Sequence, residues 1–204
     1  VKLVGFSSDL VFDGTLDRPY VESDAPQPLN AYGRSKAHAE QLMLQHCPEA
    51  LVIRTAAFFG PWDRWNFVTQ SLAALGRGEE VVAPDDQYVS PTYVPDLVHA
   101  SLDLIIDGER GIWHLANQGC VSWAELARIA AQAAGLDASG VRGCTGSEMS
   151  QRAPRPRYVP LASERGQLMP TLEHALARYL QALEQEPRLP APSLPPREIE
   201  PTAA

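Results

Sequence analysis

The stretch Val1-Lys2-Leu3-Val4-Gly5-Phe6-Ser7-Ser8-Asp9, read with Asn30-Ala31-Tyr32-Gly33-Arg34-Ser35-Lys36, decides the fold. Val1 to Phe6 is an apolar run that reads as a buried strand of the parallel type. Ser7, Ser8 and Asp9 follow at its carboxyl end, where open α/β sheets place their ligand contacts. Asn30 can cap a helix running to about His46, which Pro48 stops. The polar, proline-bearing segment between them, from Thr15 to Leu29, reads as a loop.

The same alternation continues along the chain. Leu51 to Phe59 is a second apolar strand, closed by Gly60-Pro61, and Asn66 to Leu75 has helical spacing, ended by Gly76 and Gly78. Val81 to Ala83 is a short strand leading into a loop with Pro84, Pro91 and Pro95. Asp96 to Ile106 is an amphipathic helix and Gly111 to Ala116 a strand. Ser122-Trp123-Ala124-Glu125 is a capping box that opens a helix lasting to about Ala134. Weak structure is expected up to Pro170, then a last helix over Thr171 to Leu183 and a Pro-rich disordered tail over 183–204. Strand alternating with helix predicts α/β architecture with a mostly parallel sheet.

Composition sets the outer limits. A chain of 204 residues can bury a substantial core without disulfide or metal staples. Cys47, Cys120 and Cys144 are odd in number and widely spaced, so neither a disulfide framework nor a zinc site is expected, and the default is a reducing, cytoplasmic setting. The net charge of -8 disfavours a nucleic-acid partner, because no basic stripe exists to neutralise phosphates. The apolar runs are too short for a membrane partner. The opening on a strand without a methionine is read as a start in mid-domain.

The chemistry concentrates in Tyr32 and Lys36. Residues four apart on a helix share a face, so phenol and ammonium can act together, the positive charge favouring the phenolate left when the phenol gives up its proton. Ser8 could add a hydroxyl that orients a substrate carbonyl. Together they describe a site for reducing a ketone, with a solvent-facing ion and phenol pair as the plain alternative.

Other candidates stay open between two readings. Arg54 and Arg157 suit a diphosphate or an internal salt bridge. Asp85-Asp86 suits a metal or, more readily, a solvated acidic loop, and no metal site is assigned. Trp62 and Trp65 could stack on a base or pack a loop. His99, His114, Trp113 and Trp123 read as core or surface residues. Gly140-Val141-Arg142-Gly143-Cys144-Thr145-Gly146 has the glycine spacing of a dinucleotide loop, yet lacks a strand leading in and a helix leading out, so a flexible surface loop is expected.

Ser7-Ser8-Asp9-Leu10-Val11-Phe12-Asp13-Gly14, Tyr20 to Asp24, Pro28 to Lys36 with Glu40, Arg54-Thr55, Asn66-Phe67, Asp86-Gln87 with Pro91-Thr92, and Arg155-Pro156-Arg157 resemble, in order, the dTDP-4-dehydrorhamnose reductase family of extended short-chain dehydrogenase/reductases. The resemblance spans roughly residues 1–182. It implies the C-terminal part of a doubly wound, Rossmann-like parallel sheet (about 1–60 and 93–118) with a small substrate-binding lobe (about 61–92 and 119–182). It implies NADPH or NADH as cofactor, with the main binding half absent from this chain, and a nucleotide-sugar substrate. Ser8, Tyr32 and Lys36 take the catalytic roles. Tyr32, Lys36 and Arg54 would hold the cofactor, and Ser8, Asp9, Asn66, Gln87 and Arg157 the substrate. Leu10 and Ala57 depart from the family, which usually has tyrosine and tryptophan there.

The reaction implied is reduction of a 4-keto group on a nucleotide-linked deoxysugar, the isolated chain being inactive or nearly so. A non-catalytic binding or regulatory module, an epimerase or a dehydratase remain alternatives. A homodimer or a covalent fusion partner upstream is left open.

Overall fold

The structure, a computed structural model, describes residues 2–149 and 152–185. In chain order the elements are β1 (Val4–Ser8), a 3-10 turn (Asp9–Val11), α1 (Ala31–His46), β2 (Leu51–Thr55), β3 (Phe58–Phe59), α2 (Phe67–Gly76), β4 (Val81–Pro84), β5 (Tyr88–Val89), β6 (Thr92–Tyr93), α3 (Val94–Ile106), β7 (Gly111–His114), β8 (Val121–Ser122), α4 (Trp123–Ala133), a second 3-10 turn (Ala138–Gly140), β9 (Val141–Cys144) and α5 (Leu172–Gln185). The chain is mixed α/β with parallel pairing, as the alternation of elements implies.

Strands β1, β2 and β7 form a three-stranded parallel sheet in that order, with Ser8 level with Thr55 and Arg54 level with His114. The β2 strand is buried at every position because sheet neighbours flank it on both edges. Leu51 and Ile53 pack with Leu97, Ala100 and Leu104 of α3 and with Trp113. A second body of apolar residues joins α2, α4 and α5: Val68, Leu126, Ala130, Leu172 and Leu176 surround Tyr179, whose hydroxyl meets Thr69 Oγ1 at 2.6 Å. A third packs α4 against the parallel pair β4 and β9 through Ala83, Ala124, Ala127 and Val141. Burying each larger side chain contributes about 1.5–3 kcal/mol.

The helix caps follow the sequence closely. Asn30 accepts from Gly33 N at 2.8 Å, Asn66 from Thr69 N at 2.9 Å and Ser122 from Glu125 N at 3.1 Å.

Several expectations need correction. The opening strand is not buried along its length: Phe6 is 49% exposed, since β1 pairs on one edge only among the described residues, and it runs on through Ser8. Leu51 to Phe59 breaks in two at Ala57, whose φ of 43° lies in the left-handed region. The loop after β4 contains β5 and β6, the latter parallel to β3. The helix expected from Asp96 starts at Val94, with Pro95 in its first turn where a missing N–H costs nothing. The strand expected to Ala116 ends at His114. Gly140 to Gly146 is not a loose loop: Val141–Cys144 is β9, held in register on β4. The last helix runs through Gln185, and the rest of the expected Pro-rich tail lies outside the described residues.

Candidate active site

Strand β1 delivers Ser8 and Asp9 into the protein and turns at once. Ser8 is the N-cap of the 3-10 turn: its Oγ accepts from Leu10 N at 3.2 Å and donates to Asp9 Oδ1 at 2.9 Å. Helix α1 lands on this turn at Gly33, where a Cβ would run into the Leu10 carbonyl oxygen. Glycine at that position lets the helix approach closely and brings Tyr32 beside the end of β1. Tyr32 is 51% exposed. Lys36, one turn on, donates from Nζ to Phe6 O at 3.0 Å and stands 5.7 Å from the Tyr32 ring centroid.

Ser8, Asp9 and Tyr32 line one cavity of about 520 Å³. Thr55, Ala56 and Ala57 form its floor, Phe67 and Trp123 an apolar wall, and Gln87 and Arg155 its polar side. Phe67 and Trp123 meet edge to face at 5.0 Å, which fixes the wall. Leu10 and Ala57 both line the cavity, so the two departures from the family pattern lie within the site.

Asp9 is the electrostatic feature of the cavity. It is 6% exposed, and burial pushes its carboxyl up to about 6 even though the Ser8 hydroxyl, Leu10 N and the positive charge of Arg155 favour the ionised form.

Four other expected residues divide. Gln87 lines both the cavity and an adjoining depression that holds Arg152, Arg155 and Arg157. Arg157 borders the depression alone, 3.9 Å from Asp86. Arg54 lies away from the cavity: it is 1% exposed, with both ends of its guanidinium on Glu40 at 2.9 and 2.7 Å and Nη1 facing His114 Nε2 at 3.3 Å. Its expected cofactor contact is corrected to the internal salt bridge. Side chains alternate along β2, and Thr55 takes the cavity face that Arg54 does not. Asn66 is buried in its cap, its amide also donating to Gly60 O, Asp63 O and Thr69 Oγ1, and it lines no part of the cavity.

The structure adds Arg155, Phe67 and Trp123 to the site. Arg155 stands in the same Arg-Pro-Arg motif as Arg157, whereas Trp123 at the first turn of α4 carried no signal beyond its size. Trp62 and Trp65 stand outside at 70% and 60% exposure. The glycine-spaced segment offers no anion cradle, because Gly146 N already donates to Asp86 Oδ1 at 2.7 Å and Gly143 faces the Asp85 carboxylate. His114 is a core residue: Nδ1 donates toward Ala162 O and Tyr20 O at 2.9 and 3.2 Å, leaving Nε2 as the acceptor for Arg54. Among the described residues, no three His, Cys, Asp or Glu side chains converge as a metal site requires, and no helix is long and apolar enough to cross a membrane.

The family model described as RmlD substrate binding domain matches residues 1–185. The chain is 43% identical over 168 residues to a dTDP-4-dehydrorhamnose reductase of Mycolicibacterium smegmatis, covering 80% of this chain and 50% of that protein. It is 35% identical over 165 residues to a dTDP-4-keto-6-deoxy-D-glucose reductase of Streptomyces niveus, covering 80% and 57%. The chain thus spans about half the length of these curated relatives. Among solved structures, a dTDP-4-dehydrorhamnose reductase from Bacillus anthracis in complex with NADP superposes with a TM-score of 0.83 at 32% identity, over 88% of this chain and 65% of that one. With the match to the family model running from the first strand through the last helix, the chain belongs to the RmlD substrate binding domain family.

Proposed function

We propose that this chain carries the substrate-binding and proton-delivering part of a nicotinamide-dependent reductase, acting on the 4-keto group of a dTDP-linked deoxysugar. The observation that carries the reading is the convergence of Ser8 and Tyr32 on one cavity, with Lys36 a turn behind Tyr32 on α1. The names of the relatives support the substrate class.

The residues present fit the nicotinamide end of a dinucleotide. Lys36 has three donors and gives one to Phe6 O, so two can reach a ribose next to the exposed Tyr32. The glycine-spaced segment at 140–146 offers no cradle for the pyrophosphate. A bound nicotinamide coenzyme supplies the hydride, and the remaining tasks fall to the chain. Ser8 orients the carbonyl oxygen by hydrogen bonding, Tyr32 delivers a proton to that oxygen as it becomes an alkoxide, and the Lys36 charge stabilises the phenolate left behind. The apolar wall of Phe67 and Trp123 suits a deoxygenated sugar face, and the arginines at 152, 155 and 157 suit the diphosphate.

Two measurements test the reading. Calorimetric titration with dTDP-4-keto-6-deoxyglucose is expected to show binding, and none at any pH overturns the site. In a protein that joins this chain to a dinucleotide-binding half, replacing Tyr32 by phenylalanine is expected to lower NADPH-dependent reduction of that sugar by about 10²–10⁴-fold. Equal rates for the variant and the parent remove the proton-delivery role.

A further inference from the structure

Ser8 has one hydroxyl proton and two lone pairs, and its neighbours account for two of the three. Leu10 N donates to one lone pair at 3.2 Å, and the proton is given to Asp9 Oδ1 at 2.9 Å. In this arrangement the position left for a ligand in the cavity is a lone pair. A ketone oxygen, which only accepts, finds no donor there, whereas a hydroxyl can donate to it.

Protonation of Asp9 reverses the pattern. The carboxylic acid donates to Ser8 Oγ, Leu10 N keeps its lone pair, and the Ser8 proton turns toward the cavity, where it can meet a carbonyl oxygen. We propose that Asp9 is a positioning residue that sets which way the Ser8 hydroxyl faces, so that the protonated Asp9–Ser8 couple selects the keto sugar and the ionised couple selects the alcohol. The inference rests on the site reading above and gives Asp9 a role that acts through Ser8.

The surroundings make the switch accessible. Asp9 is buried, and its carboxyl titrates at about 6. The titratable and charged groups that share its cavity are Tyr32 on α1 and Arg155 from the loop at 152–157. Arg155 favours the ionised form without overcoming burial.

The test compares two ligands that differ only at C4, dTDP-4-keto-6-deoxyglucose and dTDP-6-deoxyglucose, titrated calorimetrically into the full chain from pH 5 to pH 8. Taking the ratio of their affinities cancels every titration common to both. The keto sugar is expected to gain on the alcohol by on the order of tenfold between pH 8 and pH 5, the scale of one hydrogen bond made or lost. In Asp9→Asn the side chain neither gains nor loses a proton in this range, so the ratio is expected to become independent of pH. In Ser8→Ala the ratio loses its pH dependence as well, which keeps the test decisive should Asp9→Asn fail to fold. A constant ratio in the parent protein, or a pH dependence that persists in either variant, overturns the proposal alone. Absence of binding by both ligands at every pH overturns the site reading, and this inference with it.

Discussion

The backbone of Gly33 rests directly against the carbonyl of Leu10, and this contact seats Tyr32 at the end of β1. A methyl group there has nowhere to go, since the obstacle is backbone and cannot rotate away. Gly33→Ala is expected to cost about 2 kcal/mol, in the range of overpacking changes, and to lower Tm by roughly 4–8 °C in a chain of this size. Thermal denaturation checks it, and an unchanged Tm means that the helix can shift without loss.

The buried pair of Glu40 and Arg54 gives a second prediction. Both side chains are almost completely enclosed, and removing one partner strands a charge. Glu40→Ala is expected to destabilise by about 3–5 kcal/mol. The double replacement Glu40→Leu with Arg54→Met is expected to cost less than Glu40→Ala alone, because no unpaired ion remains. Urea titrations of the parent, Glu40→Leu, Arg54→Met and the double variant decide it, and additive single effects would contradict the pairing.

Stability should depend on pH in opposite directions at two places. Burial holds the His114 imidazole below its usual range, so the unfolded chain takes up a proton below about 6.5 that the folded chain refuses, and stability falls as pH drops. Burial also acts on Glu22, but hydrogen bonds from Ser163, His114 N and Glu164 N outweigh it and lower its carboxyl, which adds a loss below about 4.5. Asp9 has the opposite sign. Its folded form binds a proton at about 6 and its unfolded form at 3.8, so ionisation costs stability that is fully lost above about 6. Asp9→Asn is expected to raise Tm at pH 8 relative to the parent by more than it does at pH 4, and His114→Gln to flatten the decline below pH 6.5. Melting curves across that range test both.

Ala57 carries the only positive φ among the described residues other than glycine, at 43°, and it lines the cavity. Such strain costs on the order of 1 kcal/mol. Ala57→Gly is expected to raise Tm by roughly 2–4 °C. A fall in Tm would show that Ala57 packing outweighs the strain.

The sequence carried the elements well where local chemistry decides them. Asn30, Asn66 and Ser122 mark helix starts because their side chains do the capping, and Ser8 and Tyr32 line one cavity because a strand end and a helix turn bring them there, with Lys36 beside the Tyr32 ring. What escaped depends on partners distant in the chain. The β9 strand looked like loop because its order comes from β4, and β5, β6 and β8 are too short to have a period of their own. Residue type leaves Arg54 open between a diphosphate and an internal salt bridge, and its place next to Thr55 allows only one of the pair to face the cavity. Strand parity settles that point, and parity is fixed by the register with β1 and β7.

Those registers also bear on how the chain reaches its fold. Val4 pairs with Leu51, Leu51 with Gly111 and Val81 with Val141, so the longest ladders join positions roughly fifty to sixty residues apart. Chain entropy is lost before any of these contacts forms, which places the protein among slow folders, in the range of milliseconds to seconds. Because the cavity takes its walls from β1, β2, β4, α1, α2 and α4 together, it exists only once the distant ladders have closed. Binding of the proposed nucleotide sugar during refolding is therefore expected to appear with the last kinetic phase, later than the helical signal, and to count only molecules that have completed the journey.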